Sequence, residues 1–138
     1  MAKETREKCK ILIVDDDLDI LEKTKTPVVL CPQSNMKLCS GLAKATTMLE
    51  RSIPLGIGTD GCGSNNSLNL FREMDLLCKS QKLINNDPSV MAARDVFKFA
   101  TSGNAQLLGL DKVGKLKAGY KADITILDVN QSKLTPLY

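Results

Sequence analysis

Ile-Pro-Leu-Gly-Ile-Gly-Thr-Asp, at residues 53–60, is the stretch of sequence that decides the fold. Its apolar run predicts a β-strand at 53–59 that is buried on both faces, as the strands of parallel sheets are. Gly56 and Gly58 indicate that a neighbouring backbone or a ligand approaches this strand closely. The run ends on Asp60. Because parallel α/β sheets place their ligands at the carboxyl ends of strands, Asp60 is the first candidate functional residue.

On both sides of this stretch, strand-like segments alternate with helical ones. Further strands are predicted at 10–14, 27–31 and 122–129. Helices are predicted from 18 to the threonines at 24–26, then at 42–51, 68–83, 89–100 and 101–109, with turn-rich loops at 32–40, 60–67 and 114–121. Asp17 is the expected N-cap of the first helix and Ser40 that of the second. Such alternation predicts an α/β fold with an open parallel sheet, either a partial barrel or flavodoxin-like layers, and helices packed on it.

The composition limits the size and class of the molecule. The chain has 138 residues, of which 43% are apolar, enough for one compact domain with a core. A complete eight-stranded α/β barrel needs about 250 residues, so the sequence predicts at most part of one. The net charge of +3, without a basic stripe, argues against nucleic-acid binding. Five cysteines without a Cys-x-x-Cys pair, no signal peptide and no long apolar span predict a cytoplasmic protein that does not bind membranes.

Three segments together carry a family resemblance. They are Val-Val-Leu-Cys-Pro-Gln-Ser-Asn at 28–35, Ile-Gly-Thr-Asp-Gly at 57–61 and Val-Gly-Lys-Leu-Lys-Ala-Gly-Tyr-Lys-Ala-Asp at 113–123. In that order they resemble the C-terminal part of metal-dependent amidohydrolases, in the deaminase and chlorohydrolase branch. The resemblance covers 27–138 and implies the last two units of a barrel followed by an exit strand. It implies descent from a hydrolytic deaminase of aminopurine, guanine-like or triazine-like substrates.

The resemblance also implies roles for particular residues. In the family, the aspartate that matches Asp60 is a catalytic residue, which ligates zinc or iron and handles the proton of the attacking water. Ser34 and Asn35 match residues expected to contact substrate at the mouth of the site, and Asn65, which matches the loop after the aspartate, is expected to contact substrate as well. The residues alone leave a second interpretation open, in which Asp60 caps a loop and Ser34 and Asn35 form an ordinary turn.

The absence of histidine limits this implied chemistry. The chain contains no histidine, and Leu30 stands where the family generally has one. Catalytic zinc usually takes three protein ligands, often nitrogen atoms. We therefore expect a truncated or chimeric descendant of an amidohydrolase that holds no cofactor tightly and is inactive on its own.

The first residues resemble a different family. The segment 8–24, which includes Lys-Ile-Leu-Ile-Val-Asp-Asp-Asp, resembles the first strand and helix of a response-regulator receiver domain. We therefore divide the chain into a receiver-like unit at 1–26 and an amidohydrolase fragment at 27–138, packed as one compact domain. The chain is accordingly predicted to be a chimera.

Two alternative functions remain open at this point. In a receiver-like module, Asp15, Asp16 and the strand-end Asp60 would supply oxygen ligands to Mg²⁺ and accept phosphate. The other alternative is a structural or assembly module without chemistry. An open sheet exposes apolar surface and unpaired strand edges, so we expect a homo-oligomer, with elements exchanged between copies.

Overall fold

The computed structural model describes residues 17–131. The predicted strand at 10–14 and the two aspartates Asp15 and Asp16 lie outside the described residues. The proposed division of the chain at residue 26 therefore stays a prediction, because most of the first unit is not described.

Helices surround a short parallel sheet in the described part of the chain. The elements in chain order are α1 (Leu18–Thr24), β1 (Val28–Leu30), α2 (Pro32–Lys37), α3 (Ala45–Glu50), β2 (Leu55–Ile57), α4 (Leu70–Asn85), α5 (Ala93–Lys98), a π-helical turn (Phe99–Gly103) and α6 (Asn104–Leu107). The strands β1 and β2 pair in parallel, with Val28 opposite Leu55 and Leu30 opposite Ile57. The predicted α/β class, a parallel sheet with packed helices, is confirmed.

Side-chain caps set the ends of two helices. Asp17 accepts hydrogen bonds from the backbone N–H groups of Asp19 at 3.0 Å and Ile20 at 3.2 Å, so the predicted N-cap of α1 is confirmed. Asn69 caps α4 in the same way, and α4 ends at Asn86 in the left-handed conformation with φ 50°. Such caps satisfy amide groups that have no partner inside the helix.

Apolar side chains from the strands form the centre of the core. Ile53 and Ile57 are each only 1% exposed. The other buried core residues come from both strands, from the helices around them and, for Met91, from the connection between α4 and α5: Leu21, Val28, Leu30, Ala45, Met48, Leu55, Leu77, Met91 and Val96. Burial of β2 on both faces agrees with the continuous apolar pattern of its sequence. Among residues 17–131, no helix is long and apolar enough to cross a membrane.

The segment predicted as a loop at 32–40 begins with a helix, so that prediction was wrong for Pro32–Lys37. Proline suits the first position of a helix, because its missing N–H would have no partner inside the helix there. The helix predicted at 42–51 is shorter, beginning at Ala45, and Ser40 is not its cap. The N-cap residues of α2 and α3 form no side-chain hydrogen bond with their helices. The side chains of Glu73 and Gln81, which lie later in the chain, cap α2 and α3 respectively.

The predicted strand at 122–129 is absent from the structure. A strand needs a neighbour to receive its backbone hydrogen bonds, and no element within the described range pairs with this segment. Its apolar side chains are exposed as a result, with Ile126 at 90% and Ile124 at 58%.

The two helices predicted at 89–100 and 101–109 correspond to α5 and α6. The π-helical turn joins α5 to α6 without a break, so the two are continuous.

Candidate functional site

Asp60 lies just beyond the carboxyl end of β2, where the backbone turns into the left-handed region with φ 58°. Two donors fix its carboxylate. The Ser34 hydroxyl donates to Oδ2 at 2.7 Å, and the N–H of Gly61 donates to Oδ1 at 2.7 Å. Asp60 itself is exposed to solvent. The side chain is therefore held in place while its outer face stays open to a ligand.

These contacts also set the charge of Asp60. The Ser34 hydroxyl has the largest effect in lowering the pKa of Asp60, followed by the nearby Ser64 hydroxyl, which also donates to the Gly61 carbonyl, and by the Gly61 N–H, because each donor stabilises the carboxylate form. The lowered pKa keeps Asp60 ionised at neutral pH. An ionised and oriented carboxylate can bind a cation or accept a proton.

Ser34 and Cys31 bring the end of β1 to the same place. Ser34 lies in α2 and is 2% exposed, so its hydroxyl bond to Asp60 forms at the edge of the protein interior. Cys31 directly follows β1, and burial raises its pKa, with a further increase from the negative charge of Asp60. Cys31 is therefore a neutral thiol beside the carboxylate. The structure thus brings Ser34 and Asp60 together, and contact between Ser34 and a substrate stays a prediction.

A buried polar network lies behind Asp60 and fixes the loop that follows it. Asn65 is 1% exposed, and its Nδ2 donates to the Thr59 carbonyl at 2.7 Å and to the Glu73 carboxylate. Its Oδ1 accepts hydrogen bonds from the Gln33 side chain and from the Ser67 N–H. Both ends of the Asn65 amide are thus in use. Contact between Asn65 and a substrate stays a prediction, and it would require this network to open.

Glu73 links the network to α2. The Glu73 carboxylate is fully buried and accepts the backbone N–H of Gln33 at 2.9 Å, at the start of α2. Glu73 was missed by the sequence analysis, although its position carries a signal. It lies three residues after Leu70 and four before Leu77, on the apolar stripe of α4, where a carboxylate needs a buried partner.

Asn35 is placed away from the carboxylate. It lies next to Ser34 in α2 but lines a narrow gap near Leu42 and Leu77. Its role in substrate binding stays a prediction.

The residues present do not make a complete metal site. The described part of the chain contains no group of three His, Cys, Asp or Glu residues that could hold a metal ion. Asp60 supplies one carboxylate, and the sequence has no imidazole to add to it. Asp15 and Asp16 of the alternative magnesium site lie outside the described residues.

Comparison with known proteins identifies the family. The model of the Amidohydrolase family matches residues 2–137. The chain belongs to the amidohydrolase family. This amidohydrolase is 44% identical over 129 residues to the 5-methylthioadenosine/S-adenosylhomocysteine deaminase 1 of Syntrophus aciditrophicus (strain SB), covering 93% of this chain and 29% of the relative. It is 39% identical to the corresponding enzyme of Pyrococcus abyssi (strain GE5 / Orsay), of which it covers 30%.

Solved structures agree with this assignment. The amidohydrolase chain superposes on an adenosine deaminase from Xanthomonas campestris that contains bound zinc, with TM-score 0.80 and 35% identity, covering 88% of this chain and 28% of that one. It also superposes on the E. coli guanine deaminase with TM-score 0.62 and 30% identity, covering 75% and 24% of the two chains. The chain therefore spans less than a third of the length of these relatives.

The extent of the family match bears on the predicted chimera. The match begins at residue 2, so it includes the segment 8–24 that resembles a receiver domain. Nothing in these comparisons supports a response-regulator segment or a chimeric chain. The amidohydrolase part of the prediction is confirmed.

Proposed function

We propose that this chain is the part of a hydrolytic deaminase that carries the catalytic carboxylate, Asp60, and that its substrate is an aminopurine nucleoside. One observation carries the proposal. The Asp60 carboxylate stands exposed at the carboxyl edge of the sheet, fixed by Ser34 and Gly61. The relatives named above, which include deaminases of 5-methylthioadenosine and S-adenosylhomocysteine, support the substrate class.

The reaction needs a group of this kind. In hydrolytic deamination, the oxygen of water bonds to the ring carbon that bears the amino group, and the carbon–nitrogen bond breaks. One proton of the water leaves on ammonia and the other remains on the ring. An ionised carboxylate can take the first proton from water and deliver it to the leaving nitrogen. Asp60 is ionised and oriented for that transfer, and Ser34 keeps its Oδ2 in place.

The isolated chain is expected to be inactive. Catalytic zinc usually takes three protein ligands, often nitrogen atoms, and this sequence supplies no imidazole. We propose that the remaining ligands come from protein outside this sequence. Asp60 alone would then neither hold a metal tightly nor turn over substrate.

Co-expression tests this proposal. The chain would be produced with the part of the Syntrophus aciditrophicus relative that lies outside the matched region, and ammonia release from 5-methylthioadenosine, guanine and a triazine measured. We expect release from the nucleoside, and a loss of at least about 100-fold in the Asp60→Asn variant. The Asp111→Asn variant, which changes an exposed aspartate elsewhere, should behave like the unchanged chain.

Two outcomes would count against the proposal. Full deaminase activity of the Asp60→Asn variant in the co-expressed assembly would show that the Asp60 carboxylate is not needed for the reaction. Turnover by the isolated chain with added zinc would contradict the need for ligands from elsewhere.

A second candidate function, assembly with other copies, is favoured by exposed apolar side chains. Ile126 is 90% exposed, Leu116 85% and Leu83 79%. Leu116 lies near Ile124, which is 58% exposed, and contiguous exposed apolar side chains are a feature of surfaces that associate. We propose a homo-oligomer, which light scattering at micromolar concentration tests, and a monomer there would reject it. The cytoplasmic location stays a prediction.

A further inference from the structure

The outer edge of β2 is bonded by a side chain instead of by another strand. The Val28 N–H donates to the Pro54 carbonyl at 2.9 Å, and the Gly58 N–H donates to the Leu30 carbonyl at 2.9 Å. The backbone groups that face β1 therefore belong to the even-numbered residues in and next to β2. Ile57 is odd-numbered, so its N–H and C=O point away from β1. A neighbouring strand would normally receive those two groups.

The carboxamide of Asn104 receives them. The Ile57 N–H donates to Asn104 Oδ1 at 3.0 Å, and Asn104 Nδ2 donates to the Ile57 carbonyl at 2.7 Å. One side chain thus reproduces the donor and acceptor pair that a strand would offer. Ile57 is 1% exposed, so water cannot take the place of Asn104.

Two features of the chain make room for this contact. Gly56 has no Cβ, and a Cβ built there would collide with Asn104 Oδ1 and lie 2.6 Å from the Leu107 side chain. The π-helical turn Phe99–Gly103 comes directly before Asn104 and sets the direction in which the residue faces. π-Helical turns inside helices are rare and are often found at functional sites.

We propose that Asn104 is a positioning residue for Asp60, because its carboxamide replaces a strand at Ile57 and so fixes the end of β2 that presents the carboxylate. Asp60 follows Ile57 by three positions, a reach of at most about 10 Å. Movement at Ile57 would therefore move Asp60 away from the Ser34 hydroxyl. The proposal depends on the proposed function in one respect, namely that Asp60 is the catalytic carboxylate.

The test compares two readouts in the isolated full chain. In the Asn104→Leu variant, the Ile57 amide should exchange its hydrogen about tenfold faster, because a hydrogen bond to a buried group is lost. The nuclear Overhauser contact between the side-chain protons of Ser34 and Asp60 should also weaken, because the 2.7 Å hydrogen bond between the two side chains loosens. The control is Gln106→Leu, a change on the exposed side of the same helix, which should alter neither readout.

The contact between Ser34 and Asp60 separates positioning from general stability, since a residue that only stabilises the fold would leave that contact in place in the folded variant. An unchanged Overhauser contact in Asn104→Leu therefore overturns the proposal. Should that variant not fold, Asn104→Asp keeps the acceptor for the Ile57 N–H, and its Ser34–Asp60 contact decides in the same way. Failure of both variants to fold would also overturn it. Neither readout needs metal or substrate, so an inactive chain leaves this test standing.

Discussion

Replacement of Glu73 by glutamine should destabilise the chain although the two side chains have nearly the same shape. The carboxylate accepts two hydrogen bonds, from the Gln33 N–H at 2.9 Å and from Asn65 Nδ2. A glutamine offers only one acceptor oxygen, so its NH₂ group would face one of these donors. No water can relieve the conflict, because Glu73 is 0% exposed.

The magnitude follows from these contacts. A hydrogen bond to a charged group contributes about 1.5–3 kcal/mol, and an unsatisfied buried donor costs about 1–3 kcal/mol. The two figures describe overlapping effects, so they are not added in full. We expect the Glu73→Gln variant to lose about 3 kcal/mol of unfolding free energy.

Urea unfolding followed by circular dichroism measures this loss, from the midpoint and the slope of the transition. The matched control is Glu50→Gln, the same change at an exposed helical position, which should stay within about 0.5 kcal/mol of the unchanged chain. If the Glu73→Gln variant had the same unfolding free energy as the Glu50→Gln control, the assignment of Glu73 as a buried acceptor of two hydrogen bonds would be refuted.

Two further predictions concern single contacts. The pKa of Asp60 is lower in the folded chain than in the unfolded one, chiefly because of the hydrogen bond from Ser34. This bond therefore stabilises the fold fully at pH values above the ordinary carboxyl pKa. The stabilisation is lost as the pH falls through the lowered pKa. Ser34→Ala should raise the Asp60 midpoint in a carbon NMR titration, and an unshifted midpoint would contradict the bond. Gln81→Leu should cost about 2 kcal/mol in urea unfolding, because Gln81 caps the first two amides of α3 at 3.0 and 3.4 Å. Gln106→Leu, at an exposed position, is its control, and an equal loss in both would refute the cap.

Local sequence patterns predicted the elements whose stabilising contacts are also local. The Asp17 cap and the strand at Leu55–Ile57 follow from residues adjacent in sequence, and both are present. Asp60 at the strand end follows from the same pattern. The family resemblance identified the chain because it combines several separated motifs, and chance matches to such a combination are rare.

The parts that were missed depend on contacts between distant residues. The helix Pro32–Lys37 has no cap of its own and is capped by Glu73, about forty positions later. The contact of Asn104 with β2 likewise joins positions 47 apart. The segment 122–129 has the pattern of a strand but no partner in the described structure, and the pattern alone cannot supply one. Short-range periodicity contains no information about such pairings.

Glu73 and Gln81, two of the buried polar residues of α4, tie three helices into one folding unit. Glu73 caps α2 and Gln81 caps α3, and these two helices have six residues each. Isolated helices shorter than about 12 residues are barely stable in water, so α2 and α3 depend on α4 being docked. During synthesis, the segment that carries Ser34 is therefore expected to become stable only after the ribosome has released α4. Pulse-labelling hydrogen exchange should accordingly show the amides at both helix starts protected no earlier than α4 itself.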